Sequence, residues 1–313
     1  MNENVLVLIE QMKIFAVLMC IGFIAYKIKL INDQHTDNMS AILTRLILPM
    51  MIVTSVGSSD KKGIMNMGAF IVATLVVYCT GFVASYLNAR VLKVDKDMRA
   101  VHMVSGGYSN SGFFAAPITI SMFGELAGLA FAAYTVVDAL FVWVGAPIML
   151  DPERKVANIN WEKILNPVVI AAAIGFVILM FELPVMGNVV WSTMSSVGST
   201  SKYFACMYIG ADIARKGIGI MIKYPKVLGA VFSKLIVYPA VAALIVGSLN
   251  ILDSTLLTIL TIYCSSPTMV VIAMLARQAG AKDEYVTASV VLSSVLSLIT
   301  IPLVMWLMTT ALY

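Results

Sequence analysis

The sequence predicts an all-α polytopic membrane protein of ten transmembrane helices, arranged as two inverted repeats of five, with a broken helix at the fourth place of each repeat. Three observations predict it. The chain is 60 % apolar and only 12 % charged, with a mean hydropathy of +0.92. Its charge collects in short polar segments between apolar runs of spanning length, and two of those runs are interrupted by Gly, Ser, Asn and Pro. A soluble domain carries about a quarter charged residues, so lipid is the solvent for much of this surface.

The apolar runs lie at roughly 5–26, 37–56, 66–88, 99–122, 126–149, 163–181, 187–210, 227–249, 253–277 and 284–310. They are too long for barrel strands and lack period-two alternation. The first carries Glu3 and Glu10 at its start, and no small-residue cleavage site precedes Lys27, so it reads as a retained span rather than a signal peptide.

Orientation follows from the basic residues. With the N-terminus outside, fifteen Lys and Arg fall in cytoplasmic connections, from Lys27 and Lys29 to Arg277 and Lys282, and only Lys13, Lys61 and Lys62 fall outside. That asymmetry predicts a multi-pass chain of the cell inner (plasma) membrane with both termini outside. The net charge of +4 finds its use against anionic membrane lipid, so no nucleic-acid partner is expected. Cys20, Cys79, Cys206 and Cys264 all sit in spans at no metal-ligand spacing and read as small core residues. No cofactor, nucleotide loop, zinc signature or catalytic cluster is read, so no enzyme is expected.

The largest polar connection runs from Asp151 to Asn160 and separates five spans from five. The expected units are therefore residues 1–150, a cytoplasmic linker at 151–162, and residues 163–313. An odd number of spans per half makes the second half start on the opposite face, which is the condition for an inverted pair.

The breaks carry the functional expectation. Residues 105–117 include Gly106, Gly107, Tyr108, Ser109, Asn110, Ser111, Gly112 and Pro117, poor material for a continuous lipid-facing helix. The ninth span holds the counterpart Tyr263-Cys264-Ser265-Ser266-Pro267-Thr268. Backbone groups freed there need protein, water or ligand as partners, since hydrocarbon offers none. Paired interruptions at matching places in two halves point to a transporter's central site, with helix N-termini available to an anion. Small residues also serve close helix packing, which is the plainer reading of Gly112, Ala115 and Ala116.

Ionisable residues add two candidates for charge coupling. Asp138 stands in the middle of the fifth span, where an acid must be protonated, hydrated or paired. Lys202 follows the small-residue run 195–201 and is placed to snorkel or to meet a carboxylate in a cavity. Arg45 and Lys234 also lie within or beside spans; Arg45, one turn before Pro49, is expected to reach the interface. Asp212 beside Arg215 and Lys216 is expected to form a surface ion pair, and His102 to sit at a span end.

The segment Gly107-Tyr108-Ser109-Asn110-Ser111-Gly112-Phe113-Phe114-Ala115-Ala116-Pro117, with Leu48-Pro49 and Ile209-Gly210-Ala211-Asp212, resembles the auxin efflux carrier family of secondary transporters, including its bacterial malate- or malonate-permease-like members. The resemblance covers essentially the whole chain. It implies a sodium/proton-antiporter-like, bile-acid-transporter-like fold in which spans four and nine cross where they unwind. Spans one, two, six and seven would form a scaffold, often dimeric, and spans 3–5 and 8–10 the transport domain. It also implies that Asn110 contacts substrate and that Pro117 and Pro267 mark the crossing. Where plant members carry a second crossover asparagine, this chain has Ser265-Ser266-Pro267.

The function these residues predict is secondary active, elevator-like transport of a small organic anion such as malate, malonate or an auxin-like carboxylate. The expected binding or crossover residues are Tyr108, Ser109, Asn110, Ser111, Pro117, Ser265, Ser266, Pro267 and Thr268, with Asp138 and Lys202 for charge coupling. Proton or sodium coupling stays open, as does a bile-acid-like carrier or antiporter. A channel or membrane receptor is the alternative of another class, and neither explains why a similar break occurs in both halves.

Overall fold

The computed structural model describes residues 3–151, 165–185, 187–217 and 219–312. Beyond Asp151, the predicted linker lies outside the described residues. Among those described the chain is helical throughout, with no strand and one isolated antiparallel bridge, Ser109 to Thr268.

The principal helices are α1 (Glu3–Lys27), α2 (Asp33–Gly57), α3 (Met67–Val91), α4 (Arg99–Gly107), α5 (Ser111–Leu150), α6 (Pro167–Phe181), α7 (Val189–Ser199), α8 (Ser201–Lys216), α9 (Lys226–Leu249), α10 (Ser254–Ser265), α11 (Val270–Gln278) and α12 (Asp283–Leu312). Six of them, α1, α2, α3, α5, α9 and α12, are long and apolar enough to cross a membrane; α6 and α10 are shorter apolar helices. Side-chain caps fix several starts. Asn32, Asn166, Asn188 and Asp253 accept from backbone N–H groups in the first turns of α2, α6, α7 and α10, satisfying donors that the helix itself leaves free.

At 40 residues α5 would be about 60 Å long if straight, twice the hydrocarbon thickness of a bilayer. It does not run straight. Gly124 breaks it with φ 60° and ψ −135°, a backbone state open to glycine and strained for other residues. The predicted fourth and fifth spans meet at this turn. The predicted fourth span is thus α4 plus the start of α5, the seventh is α7 with α8, and the ninth is α10 with α11.

Among the described residues three helices widen into π turns, α2 at Leu43–Ile47, α5 at Ser111–Ala115 and again at Phe141–Gly145, and α9 at Ser233–Val237. Each π turn ends two residues before a proline: Pro49, Pro117, Pro147 and Pro239. The cause is local. A proline ring crowds the carbonyl four residues back and brings no N–H to bond it. The preceding residue then reaches one step further, as Leu48, Ala116, Ala146 and Tyr238 each donate to the carbonyl five residues earlier. The widened turns tilt their side chains off the regular helical face.

The helices pack as two groups in broad contact with each other. α1 lies along α8, and the second half of α2 packs on α6 and α7. α3 packs on α4, α5 and α9, while α12 packs on α4, α9, α10 and α11. α1 and α2 also reach across to α12 and α5. Outward faces remain apolar, with Val17, Ile21 and Ile24 of α1, Val83 and Leu87 of α3, and Ile299 of α12 exposed. Cys20 and Cys79 are on exposed faces as well, whereas Cys206 and Cys264 are buried. Only the second pair are therefore the core residues expected of all four. The first two occupy outward helix positions that lipid would tolerate equally.

The α1–α8 contact is backbone on backbone. A Cβ on Gly22 would stand 2.0 Å from the Met207 carbonyl oxygen, and one on Gly210 would stand 1.9 Å from that of Met19. Close approach of this kind needs small residues. Gly22→Ala and Gly210→Ala are each expected to cost about 1–3 kcal/mol by overpacking, seen as a lowered melting temperature in detergent. The double variant should cost less than the sum, because one separation of the helices relieves both clashes. A strictly additive result would show that the two glycines do not share one crossing.

Candidate functional site

The two interruptions meet. α4 stops at Gly107 and the chain resumes helix at Ser111; α10 stops at Ser265 and resumes at Val270. Between these ends the extended segments pair as a minimal antiparallel ladder. The Asn110 N–H donates to the Pro267 carbonyl at 2.8 Å, and the Met269 N–H to the Tyr108 carbonyl at 3.3 Å. Pro267 has no N–H to give, so its role in this exchange is that of acceptor. Thr268 adds a side-chain bond to the Ser105 carbonyl (2.8 Å), and its own N–H is taken by Ser293 Oγ (2.9 Å). Several of the backbone groups freed by the breaks thus find protein partners, as burial demands.

Most of the predicted polar side chains are spent in holding this junction. Tyr108 donates its hydroxyl to the Phe141 carbonyl at 2.7 Å. Ser265 and Ser266 bond back to the Thr261 and Ile262 carbonyls of their own helix, at 2.6 and 2.9 Å. Ser109 Oγ accepts from Lys234 at 2.5 Å. Asn110 differs. It is 3 % exposed, its Oδ1 caps the following turn through the Phe113 N–H at 3.4 Å, and its Nδ2 has no partner among the described residues.

Asn110 lines a cavity of about 420 Å³. The start of α5 contributes Asn110, Ser111, Gly112 and Phe113, and the start of α11 contributes Met269, Val270 and Val271. The N-terminal ends of both second-half helices therefore face the same space, bringing partial positive charge to it. Arg45, in the π turn of α2, and Asp138, one turn before the π turn at Phe141, line it too. Asp138 is half-buried and accepts from the Tyr78 hydroxyl, which in turn receives that of Tyr134 at 3.4 Å. Rings of Tyr78 and Phe141 stack at 4.3 Å behind this acid.

The other predicted residues lie elsewhere. Lys202 is in a separate cleft of about 300 Å³ with Pro117, Ser121 and Tyr203, its ammonium 5.0 Å from the Tyr203 ring centre. It is not among the residues lining the Asn110 cavity. Arg45 lines that cavity rather than only reaching the interface. Asp212 does pair with Arg215 (2.8 Å) and Lys216 (2.6 Å), but it is buried instead of lying at the surface. His102 is buried too, between Tyr285 (2.8 Å) and Asn88 (2.9 Å).

Residues 7–305 match the family described as membrane transport protein. The chain belongs to this family, that of the auxin efflux carriers. As a family member it is also similar to an uncharacterized transporter of Methanothermobacter thermautotrophicus, 21 % identical over 299 residues that cover 92 % of this chain and 94 % of that protein. Membership and the long apolar helices together make it a multi-pass membrane transport protein.

Within this membrane transport protein, two residues at the site were read from sequence only as cations within or beside spans, not as site residues. Lys234 is buried against the crossover and Arg45 lines the cavity. The available signal was the one that singled out Asp138: an ionisable residue well inside an apolar span.

Proposed function

We propose that this chain is a secondary carrier that moves a small organic anion by elevator-like alternating access. The observation that carries the reading is the unpartnered Asn110 amide on a cavity faced by two helix N-termini and Arg45. Donors, helix-end charge and a guanidinium converge there on the space a carboxylate would fill. The rest of the lining is largely apolar, including Phe113, Phe131, Val142, Trp143, Met269 and Val271. This favours a single carboxylate on an apolar or aromatic body, as in an auxin-like acid, over the two carboxylates of malate or malonate. The volume lies in the range of small-molecule sites.

The moving and fixed parts follow the packing sets. α1, α2, α6, α7 and α8 would form the scaffold, on which a homodimer would be built, and α3–α5 with α9–α12 the transport domain. The two crossing breaks support ten crossings in inverted repeats, and the basic-residue asymmetry supports N-out and C-out placement in the inner membrane. In that orientation the cavity opens to the cytoplasmic side, since its rim residues Ser40, Asn166 and Met274 belong to the cytoplasmic ends of their helices.

Purified protein in liposomes should show saturable uptake and counterflow of labelled carboxylates, with indole-3-acetate preferred over malate and malonate. Flux linear in concentration without counterflow would mean a channel instead, and preference for the dicarboxylates would overturn the assignment of an apolar body.

A further inference from the structure

Helix ends of opposite sign behave differently at this crossover. The N-terminal ends face the cavity, whereas no residue from the last turn of α4 or α10 lines it. Those C-terminal ends carry free carbonyls and partial negative charge, which in carriers with broken helices is where a coupling cation is coordinated. In this chain a side chain occupies that position. The Lys234 ammonium donates to the Cys264 carbonyl in the last turn of α10 at 2.9 Å, and to Ser109 Oγ just past the end of α4 at 2.5 Å. It also stands 4.6 Å from the centre of the Tyr238 ring. Two oxygens and a ring face thus surround it, each an attractive partner for a desolvated cation.

Snorkelling does not account for the contact. Lys234 is only 1 % exposed and lies in the interior of α9, about 12 Å along its axis from Lys226. No carboxylate pairs with it among the described residues. Its position depends on Pro239, which forces the π turn Ser233–Val237 that carries the lysine.

We propose that Lys234 is a tethered cation that takes the place of a coupling sodium ion at the crossover, so that this carrier holds its helix ends together without sodium. The idea rests on reading the crossover as the transport site, but its test uses no substrate. A wrong choice of carried anion would therefore leave it standing.

The test compares melting temperatures of the purified full chain in sodium chloride and in choline chloride at equal ionic strength. Wild type should melt at the same temperature in both and show no saturable binding of sodium-22. Lys234→Ala should melt lower in choline and regain several degrees in sodium or methylammonium chloride, because either cation can rebind the freed oxygens. Lys234→Arg, which keeps a tethered charge, should stay indifferent to sodium. If Lys234→Ala is not recovered folded, Lys234→Gln, which loses the charge and keeps the length, is read in the same way. Saturable sodium binding to wild type overturns the proposal, as does a charge-removing variant that neither cation stabilises.

Discussion

Replacing Asn110 by alanine is expected to reduce substrate binding and uptake by roughly 10- to 100-fold while leaving the melting temperature almost unchanged. A hydrogen bond to a charged group contributes about 1.5–3 kcal/mol net, and each 1.4 kcal/mol is about tenfold in affinity. The two readouts separate because of how Asn110 is bonded. Its Nδ2 gives nothing to the protein, so its loss removes an unsatisfied donor instead of a bond. Its Oδ1 makes one long capping contact, at 3.4 Å, worth at most about 1 kcal/mol. Uptake of labelled carboxylate into liposomes, read beside a thermal melt, checks both halves. Wild-type uptake by the variant would remove Asn110 from the binding site, and a large loss of stability would make it a structural cap. Asn110→Asp should transport worse than Asn110→Ala, since it adds an acceptor and negative charge where an anion must bind.

Replacing Asp138 by asparagine is expected to uncouple transport from pH. Asp138 shares the cavity with the proposed anion site. At a separation of roughly 6 Å and an effective dielectric of about 20, two like charges repel by about 3 kcal/mol, which is on the order of 100-fold in affinity. Substrate would therefore bind well only when Asp138 carries its proton, and wild-type uptake should fall as external pH rises. Asparagine imitates the neutral acid in shape and can still accept from Tyr78. The variant should keep downhill exchange at high pH and lose accumulation driven by an imposed proton gradient. A variant with the wild-type pH profile, or one that still concentrates substrate under that gradient, would remove Asp138 from coupling.

The breaks themselves were legible because they violate local rules. Three glycines and an asparagine before Pro117, and two serines before Pro267, are residues that a lipid-facing helix has no reason to collect. Asn110 was legible for the same reason. The division of labour among their polar neighbours was not. Ser265 and Ser266 look like the counterparts of Ser109 and Ser111, yet they bond to their own helix, a choice that depends on the position of carbonyls one turn back. Arg45 and Lys202 read alike in sequence, as long cations near span interiors. They end in different spaces because the π turn before Pro49 carries Arg45 toward the cavity while Lys202 begins α8 beside Pro117.

From sequence alone follow the all-helical membrane class, the places where two helices break, and the acid at mid-span. These depend on composition and on near neighbours along the chain, which propagate into structure without help. Only the tertiary structure decided what the freed groups at each break would meet. The partner of Ser109 is Lys234, 125 residues away, and the partner of Asn110's backbone is Pro267. Such pairings are set by how two interrupted helices cross, so no local pattern records them. The crossing uses up most of the polar side chains the sequence offers at the breaks and leaves the amide nitrogen of Asn110, a residue lining the cavity, without a partner among the described residues.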